Sequence, residues 1–406
     1  MIFSLLQDKR SDIFVLLLGF SLSLFFPVII FLFFTCFFLL KSFKSKDAFR
    51  MFLSYSFLFF SFIISQKMIG KGNDDFAVYI KMLIKGGYPS WEDKPYDFFF
   101  WLIAKIVYSI TGNESLFIFI ICCLSFIPFF IFFLDDLKDI TKSPKISYCF
   151  FIFFSVLFVC SMSFWNLYGN YLRQAWVMSF SLGAIVSLNY GKTLKPLLWA
   201  GLALVSHSTG IIVLAAVIAM LLTKKINKKI IINVLLIAGL VLLLINPLHL
   251  IMPFLPGNIS SKLGFYLSWH GLSFGVVATL RIALLTIALL FFNAIYERMK
   301  KDSIALNFLL ILSIYCFICL SIAGVPKAVE RMYYPTMIWF FLFLSRIMAL
   351  YYCSVYQKQT NRIVINLTIV PLIFAFFFIS LQATLTYNVS YYSGDLNDFI
   401  FYTPLS

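Results

Sequence analysis

The chain has 406 residues, of which 62% are hydrophobic, 12% are charged and 51 are Phe, a composition that excludes a soluble globular domain. Thirty-two Lys and Arg against 17 Asp and Glu give a net charge of +15, but the cations cluster in loops 41–50, 138–145, 192–195, 224–229, 298–301 and 358–362. Alternate loops are acidic or mixed, which is the positive-inside pattern beside anionic lipid headgroups and argues against nucleic acid as a partner.

Apolar runs of roughly 18 to 28 residues between short loops predict an all-α, polytopic membrane protein with a single integral membrane domain over 1–406. Residues 13–40 form a first span, kinked at Pro27. Lys9 and Arg10 precede a run too long for a cleavable signal and without a small-residue cleavage site. Residues 41–50 are cytoplasmic and 51–66 rise to the outside, where 67–114 form an external segment with two amphipathic pieces, 76–86 and 97–111. Only one of 97–111 and 115–134 can cross if 135–145 is cytoplasmic. The second is longer and uncharged, so 97–111 is assigned to the interface.

The spans continue with 146–165, 172–190, the short pair 197–207 and 209–222, then 230–246, 274–294, 303–323, 334–352 and 363–383. Further external segments are 247–273, 324–333 and 384–406. The total is about 12 spans; a hairpin at Pro27 would make about 13 and put the N-terminus inside. No internal repeat is visible.

The short pair resolves a conflict. As one helix, 197–222 would cover roughly 39 Å and cross once. Lysines flank it on both sides, however: Lys192 and Lys195 before, Lys224, Lys225, Lys228 and Lys229 after. One crossing would put basic clusters on opposite faces. Two short helices meeting at Ser206-His207-Ser208-Thr209 satisfy both signals. Each leg rises only roughly 18 Å, so the polar turn lies at membrane depth and must line a cavity or be buried in protein.

Charged residues at that depth are functional candidates. Arg173 opens a span in Asn170-Tyr171-Leu172-Arg173-Gln174 at its external end; the bland alternative is an interfacial arginine snorkelling to headgroups. Arg281 lies among Leu280, Ile282, Ala283 and Leu284, roughly 12 Å down its helix, where an unpaired guanidinium costs at least about 2.5 kcal/mol. His207 has a plain reading as a neutral, hydrogen-bonded bundle histidine. Lys327, Glu330 and Arg331 share an external turn with Tyr333, where Glu330-Arg331 has an equal claim to being a rim ion pair. Asp74 and Asp75 follow the second span at its outer end, four residues before Tyr79 in the case of Asp75. His249 and His270 read as interfacial. The eight cysteines lie in or beside apolar runs, and Cys316-x-x-Cys319 has no His or second Cys pair nearby, so neither a metal site nor a disulfide framework is implied.

Arginines suit a phosphate-rich ligand because guanidinium binds phosphate bidentately and keeps its charge in a low dielectric. A carboxylate beside them suits deprotonation of a hydroxyl. A lipid pyrophosphate leaving group and a sugar nucleophile would use both. No Walker motif, metal-ligand cluster or Ser/His/Asp spacing is present, and no cofactor is expected.

The order of these signals resembles the O-antigen and exopolysaccharide polymerases of the Wzy and EpsG type. The family's Asp-aromatic-x-x-Tyr element is matched by Asp75-Phe76-Ala77-Val78-Tyr79 and its Arg-Gln by Arg173-Gln174. Its Gly-x-Ala-x-x-x-His-Ser is matched by Gly201 to Ser208, and its late Arg near Tyr by Arg331-Met332-Tyr333-Tyr334. The family's Glu-Pro-x-Tyr element of the first external loop is replaced by Lys94-Pro95-Tyr96-Asp97. The helix pair and amphipathic loop also resemble the GT-C class of lipid-linked glycosyltransferases.

The resemblance implies an enzyme of the bacterial inner membrane, with its active site facing the periplasm, that joins oligosaccharide repeat units carried on undecaprenyl pyrophosphate. Its partners would be that lipid-linked oligosaccharide, membrane lipids and a chain-length regulator protein. Arg173, Arg281 and Arg331 would bind pyrophosphate, with Lys327, Glu330, Tyr79, Gln174 and Tyr333 contributing to pyrophosphate or glycan binding. Asp75, Asp74 or His207 would take the acceptor proton. The alternatives are a transferase using undecaprenyl-phosphate sugar, an O-antigen ligase (disfavoured by the short late external turn) and a lipid-linked oligosaccharide flippase (disfavoured by the absence of related halves).

Overall fold

The computed structural model describes residues 46–65, 75–84, 97–140, 171–222, 226–245 and 303–323 as continuous stretches, with shorter pieces and single positions elsewhere between 14 and 347. Among the described residues every regular element is helical. In chain order these are α1 (Lys46–Ser65), α2 (Asp75–Ile84), α3 (Phe98–Thr111), α4 (Glu114–Ile140), α5 (Leu172–Asn189), α6 (Leu194–Ser206), α7 (Gly210–Leu222), α8 (Lys228–Ile245) and α9 (Ser303–Ser321). Residues 339–347 are also helical.

Among the described residues, three segments are long and apolar enough to cross a membrane: Glu114–Phe132, Lys228–Ile245 and Ser303–Ser321. The other apolar helices are shorter, namely α3, the Leu172–Leu188 part of α5, α6 and α7. The expected spans 146–165 and 363–383 lie outside the described residues, as do most of 13–40 and 274–294.

Two expected boundaries move. Helix α1 starts at Lys46, inside the basic loop, and α4 runs on to Ile140 rather than ending at 134. Both extensions carry charged residues (Lys46, Asp47, Arg50, Asp135, Asp136, Lys138, Asp139) with no glycine or proline among them. Hydropathy marks where a helix leaves the apolar layer, not where its backbone hydrogen bonds stop.

The core is built around α5, which packs against α4, α6, α7 and α9. Its residues from Gln174 to Ser187 are buried on every side. Small residues make this possible, because they let neighbouring backbones approach. A Cβ on Gly183 would stand 2.5 Å from the Phe132 ring. Ser179 donates to the Ser125 carbonyl of α4 at 3.2 Å and shares a 3.1 Å hydrogen bond with Tyr168.

An aromatic chain crosses the same core. Phe132 of α4 meets Trp199 of α6 edge-on at 4.6 Å, Trp199 stacks on Phe180 of α5 at 6.0 Å, and Phe99 of α3 touches both Phe180 and Trp176. Each such pair adds about 0.5–1.5 kcal/mol beyond the area it buries. The chain ties α3, α4, α5 and α6 together.

Helix α9 is buried over 78% of its length, whereas α8, packed on α9, is buried over only 17%. Val234, Ile237, Val241 and Leu244 of α8 face outward. An apolar helix exposed to this degree fits a lipid-facing position. Helix α3 buries Phe100, Trp101, Ala104 and Val107 and exposes Leu102, Ile106 and Ile110, so it carries two apolar faces, one for the bundle and one outside it.

The break in the 197–222 run lies where the charge argument requires. Helix α6 ends as His207 turns extended (φ −166°, ψ 148°), its N–H still bonded to the Ala203 carbonyl at 3.3 Å. The chain then turns through Ser208 and Thr209, closed by the Gly210 N–H on the His207 carbonyl at 2.8 Å, and α7 packs back on α6. Gly210 makes this possible. A Cβ there would collide with the backbone of Ala203 and Leu204.

Candidate active site

Four helix ends converge on one small cavity lined by Asp75, Tyr79, Tyr171, Arg173, Gln174 and His207. The convergence spans more than 130 residues of sequence, so it is a property of the fold and not of a local motif.

Asp75 occupies the first turn of α2 and Tyr79 lies one turn later. Residues four apart share a helix face, and the Tyr79 hydroxyl donates to Asp75 Oδ2 at 3.3 Å. Tyr79 is 1% exposed, with its ring packed against Phe76, Phe100 and Trp101. Burial, and secondarily the Asp75 carboxylate, push the phenol pKa well above its ordinary value, so Tyr79 stays a hydrogen-bond donor.

Arg173, on the first turn of α5, reaches the same place from the other side. Its Cζ lies 5.5 Å from the centroid of the Tyr79 ring, a cation–π contact. Its Nη1 donates to Asp97 Oδ2 at 2.8 Å. Asp97 is only 8% exposed and its Oδ1 has no hydrogen-bond partner among the described residues. Asp97 is also the N-cap of α3, yet its side chain makes no cap bond. An aspartate there ordinarily accepts from the first-turn N–H groups; this one turns to Arg173 instead.

Gln174 follows on α5, 3% exposed, with Oε1 unpartnered among the described residues. His207 enters from the α6–α7 break. Its Nδ1 accepts the Thr209 N–H at 3.2 Å and lies 3.0 Å from Thr209 Oγ1. A ring whose Nδ1 accepts from a backbone amide is neutral and carries its proton on Nε2.

The structure therefore brings together Asp75, Tyr79, Arg173, Gln174 and His207 of the expected set. Asp74, Arg281, Lys327, Glu330, Arg331 and Tyr333 lie outside the described residues. Sequence reasoning passed over Asp97 as a site residue. It entered only as the last residue of Lys94-Pro95-Tyr96-Asp97, in place of the family's Glu-Pro-x-Tyr element, and its pairing with a residue 76 positions away leaves no local trace. Among the described residues no group of three or more His, Cys, Asp or Glu is gathered to hold a metal.

No curated protein and no solved structure matches the chain. A family profile does, over residues 50–393, a stretch that contains every residue of the cavity. By that match, which covers most of the chain, this protein belongs to the EpsG family.

Proposed function

We propose that the protein is a polysaccharide polymerase that transfers a growing glycan from its undecaprenyl pyrophosphate carrier to a sugar hydroxyl of a new lipid-linked repeat unit on the periplasmic face of the inner membrane. Membership of the EpsG family supports a polymerase-like glycosyl transfer. The observation that carries the reading is the meeting of Asp75, Arg173, Gln174 and His207 at one cavity beside a helix break. Such a cluster is costly to assemble in an apolar bundle and is kept where chemistry needs it. A GT-C-like arrangement is part of the same proposal, with the α6–α7 turn as the floor of the chamber.

In this reaction the acceptor oxygen attacks the anomeric carbon, the bond from that carbon to the pyrophosphate oxygen breaks, and the electron pair leaves with the pyrophosphate. The acceptor proton passes to a carboxylate, for which Asp75 is placed at the cavity wall. Stabilisation of the departing charge is the largest expected catalytic contribution. Arg281 and Arg331 are assigned to it, Arg281 because a guanidinium inside an apolar run requires an anionic or polar partner and Arg331 because it stands on the external side beside Tyr333. Arg281→Lys should then abolish most polymer formation, since the charge survives and the bidentate fork does not; wild-type ladders from that variant would remove Arg281 from the site.

The test of function is deletion of the gene in its host, with lipopolysaccharide resolved on a gel. Loss of a polymerase leaves lipid A core capped by a single repeat. Bare core with accumulated polymer would mean a ligase, and accumulation of cytoplasm-facing lipid-linked units a flippase. Unaltered long-chain ladders would end the polymerase reading.

A further inference from the structure

The free space in the cavity is about that of a single water molecule, far short of a sugar ring or a pyrophosphate. Its wall is polar, formed by Asp75, Tyr79, Tyr171, Arg173, Gln174 and His207. Enclosed space of this size stays dry when its lining is apolar. It holds a water when the wall is polar and two or more groups can bond to it.

Gln174 supplies the first such group. Its side chain is 3% exposed, and its Oε1 has no hydrogen-bond partner among the described residues. A buried acceptor left unpaired is costly, and ordered water commonly completes one that no protein donor reaches. Arg173, the preceding residue on the first turn of α5, supplies the second. It donates to Asp97 Oδ2 at 2.8 Å and lies 5.5 Å from the Tyr79 ring centroid, and a guanidinium has further N–H groups in the same planar fork. A donor-rich side chain and an unpaired acceptor thus line the same cavity, yet no hydrogen bond joins them among the described residues. A bridging water satisfies both, donating to Gln174 Oε1 and accepting from Arg173. Asp75 already accepts the Tyr79 hydroxyl, and His207 Nδ1 the Thr209 N–H, so the water is held chiefly from α5.

We propose that the cavity is a site for one bound water, held by Gln174 Oε1 and the Arg173 guanidinium, and that Gln174 is a positioning residue acting through this water and not a contact to glycan or pyrophosphate. Bonded to Arg173, the water restrains a guanidinium that Asp97 and Tyr79 hold from their own sides. The site exists whatever reaction the cluster performs, so the inference stands apart from the polymerase reading.

The experiment labels the full-length protein in lipid nanodiscs with hydroxyl radicals generated by X-rays, which oxidise side chains beside bound waters even where bulk solvent does not reach. Tyr79 is the reporter in the cavity wall, and Tyr168 and Tyr315, equally buried and outside that wall, are the references. Tyr79 should be oxidised well above both references. Gln174→Leu removes the acceptor and should bring Tyr79 down to their level, while Gln174→Glu keeps an acceptor at the same reach and should preserve the excess. Wild-type oxidation of Tyr79 no faster than that of Tyr168 and Tyr315 would overturn the proposal. So would an excess that survives in Gln174→Leu, or one lost equally in both variants, because the acceptor at 174 would then not be what holds the water. Should Gln174→Leu fail to fold, the wild-type comparison and Gln174→Glu decide between the same outcomes.

Discussion

At the scale of single residues, the arrangement at Arg173 makes unequal demands on its neighbours. The guanidinium donates to Asp97 Oδ2 with one nitrogen while its Cζ stands 5.5 Å from the Tyr79 ring centroid, a combination a lysine ammonium cannot reproduce. Arg173→Lys should therefore behave as a loss variant despite its charge. Asp97→Asn removes the partner of a largely buried cation, and a change of this kind costs about 2–3 kcal/mol once partial exposure of the pair is allowed for. Thermal denaturation in detergent should show that loss together with a fall in polymer length; a variant with wild-type stability would mean the pair contributes little. Tyr79→Phe is a smaller change. It deletes the hydroxyl on Asp75 and keeps the ring under Arg173, so the expected cost is about 1 kcal/mol, read as a roughly fivefold drop in kcat/KM with folding intact. A drop of a hundredfold would make the phenol a participant in the chemistry. Most of this cluster was legible in the sequence, because Arg173 and His207 are polar residues at the ends of apolar runs and Asp75 belongs to a carboxylate pair at the outer end of a span. Asp97 was legible only as the residue that ends Lys94-Pro95-Tyr96-Asp97, with no role attached, and a separate omission is Arg346. That arginine is 3% exposed inside the helical 339–347 stretch, a charge in an apolar run that the charge argument should have raised.

At the scale of elements, the α6–α7 pair turns on glycine. Two glycines of this pair have opposite surroundings. Gly210 opens α7 against the Ala203 carbonyl, where an added methyl group has no room, whereas nothing stands within 4 Å of a Cβ added to Gly201 in the middle of α6. Gly201→Ala should be neutral or stabilising by up to about 1 kcal/mol, the helix-propensity gain of alanine over glycine. Gly210→Ala should destabilise by about 1–3 kcal/mol and displace His207, with melting temperature and polymer length falling together. Equal behaviour of the two variants would show that the turn is looser than its geometry. The sequence placed this break from charge alone and came within three residues of each helix end. It did less well on α4, because hydropathy ends at the last apolar residue while backbone hydrogen bonding continues through Asp135 to Ile140. Periodicity also gave no hint that α5 would be buried all round. That burial follows from Ser179, Ser181 and Gly183, whose small size is a packing signal rather than a hydropathy signal.

At the scale of the whole molecule, everything depends on which side of the membrane the two ends of the α6–α7 pair occupy. The cavity lies at the α6–α7 turn, and His207 reaches it only because the run from 197 to 222 does not continue straight. On the proposed topology a hairpin would bring Lys192 and Lys195 to the same face as Lys224 and Lys225, and the positive-inside rule would make that face cytoplasmic. The turn, one short helix away, then lies at membrane depth, and the cavity can open toward the opposite face through α2 and α3, which carry the carboxylates of the cluster. Alkaline phosphatase fused after residue 192 and, separately, after residue 225 should be inactive in both cases, because the reporter folds only outside the cytoplasm. A fusion after Gly86, beyond α2, should be active. If the two lysine-rich positions instead gave opposite activities, α6 and α7 would cross as one segment. The cavity would then be displaced from the outer face, and both the periplasmic placement of the reaction and the acceptor role of Asp75 would fall with it.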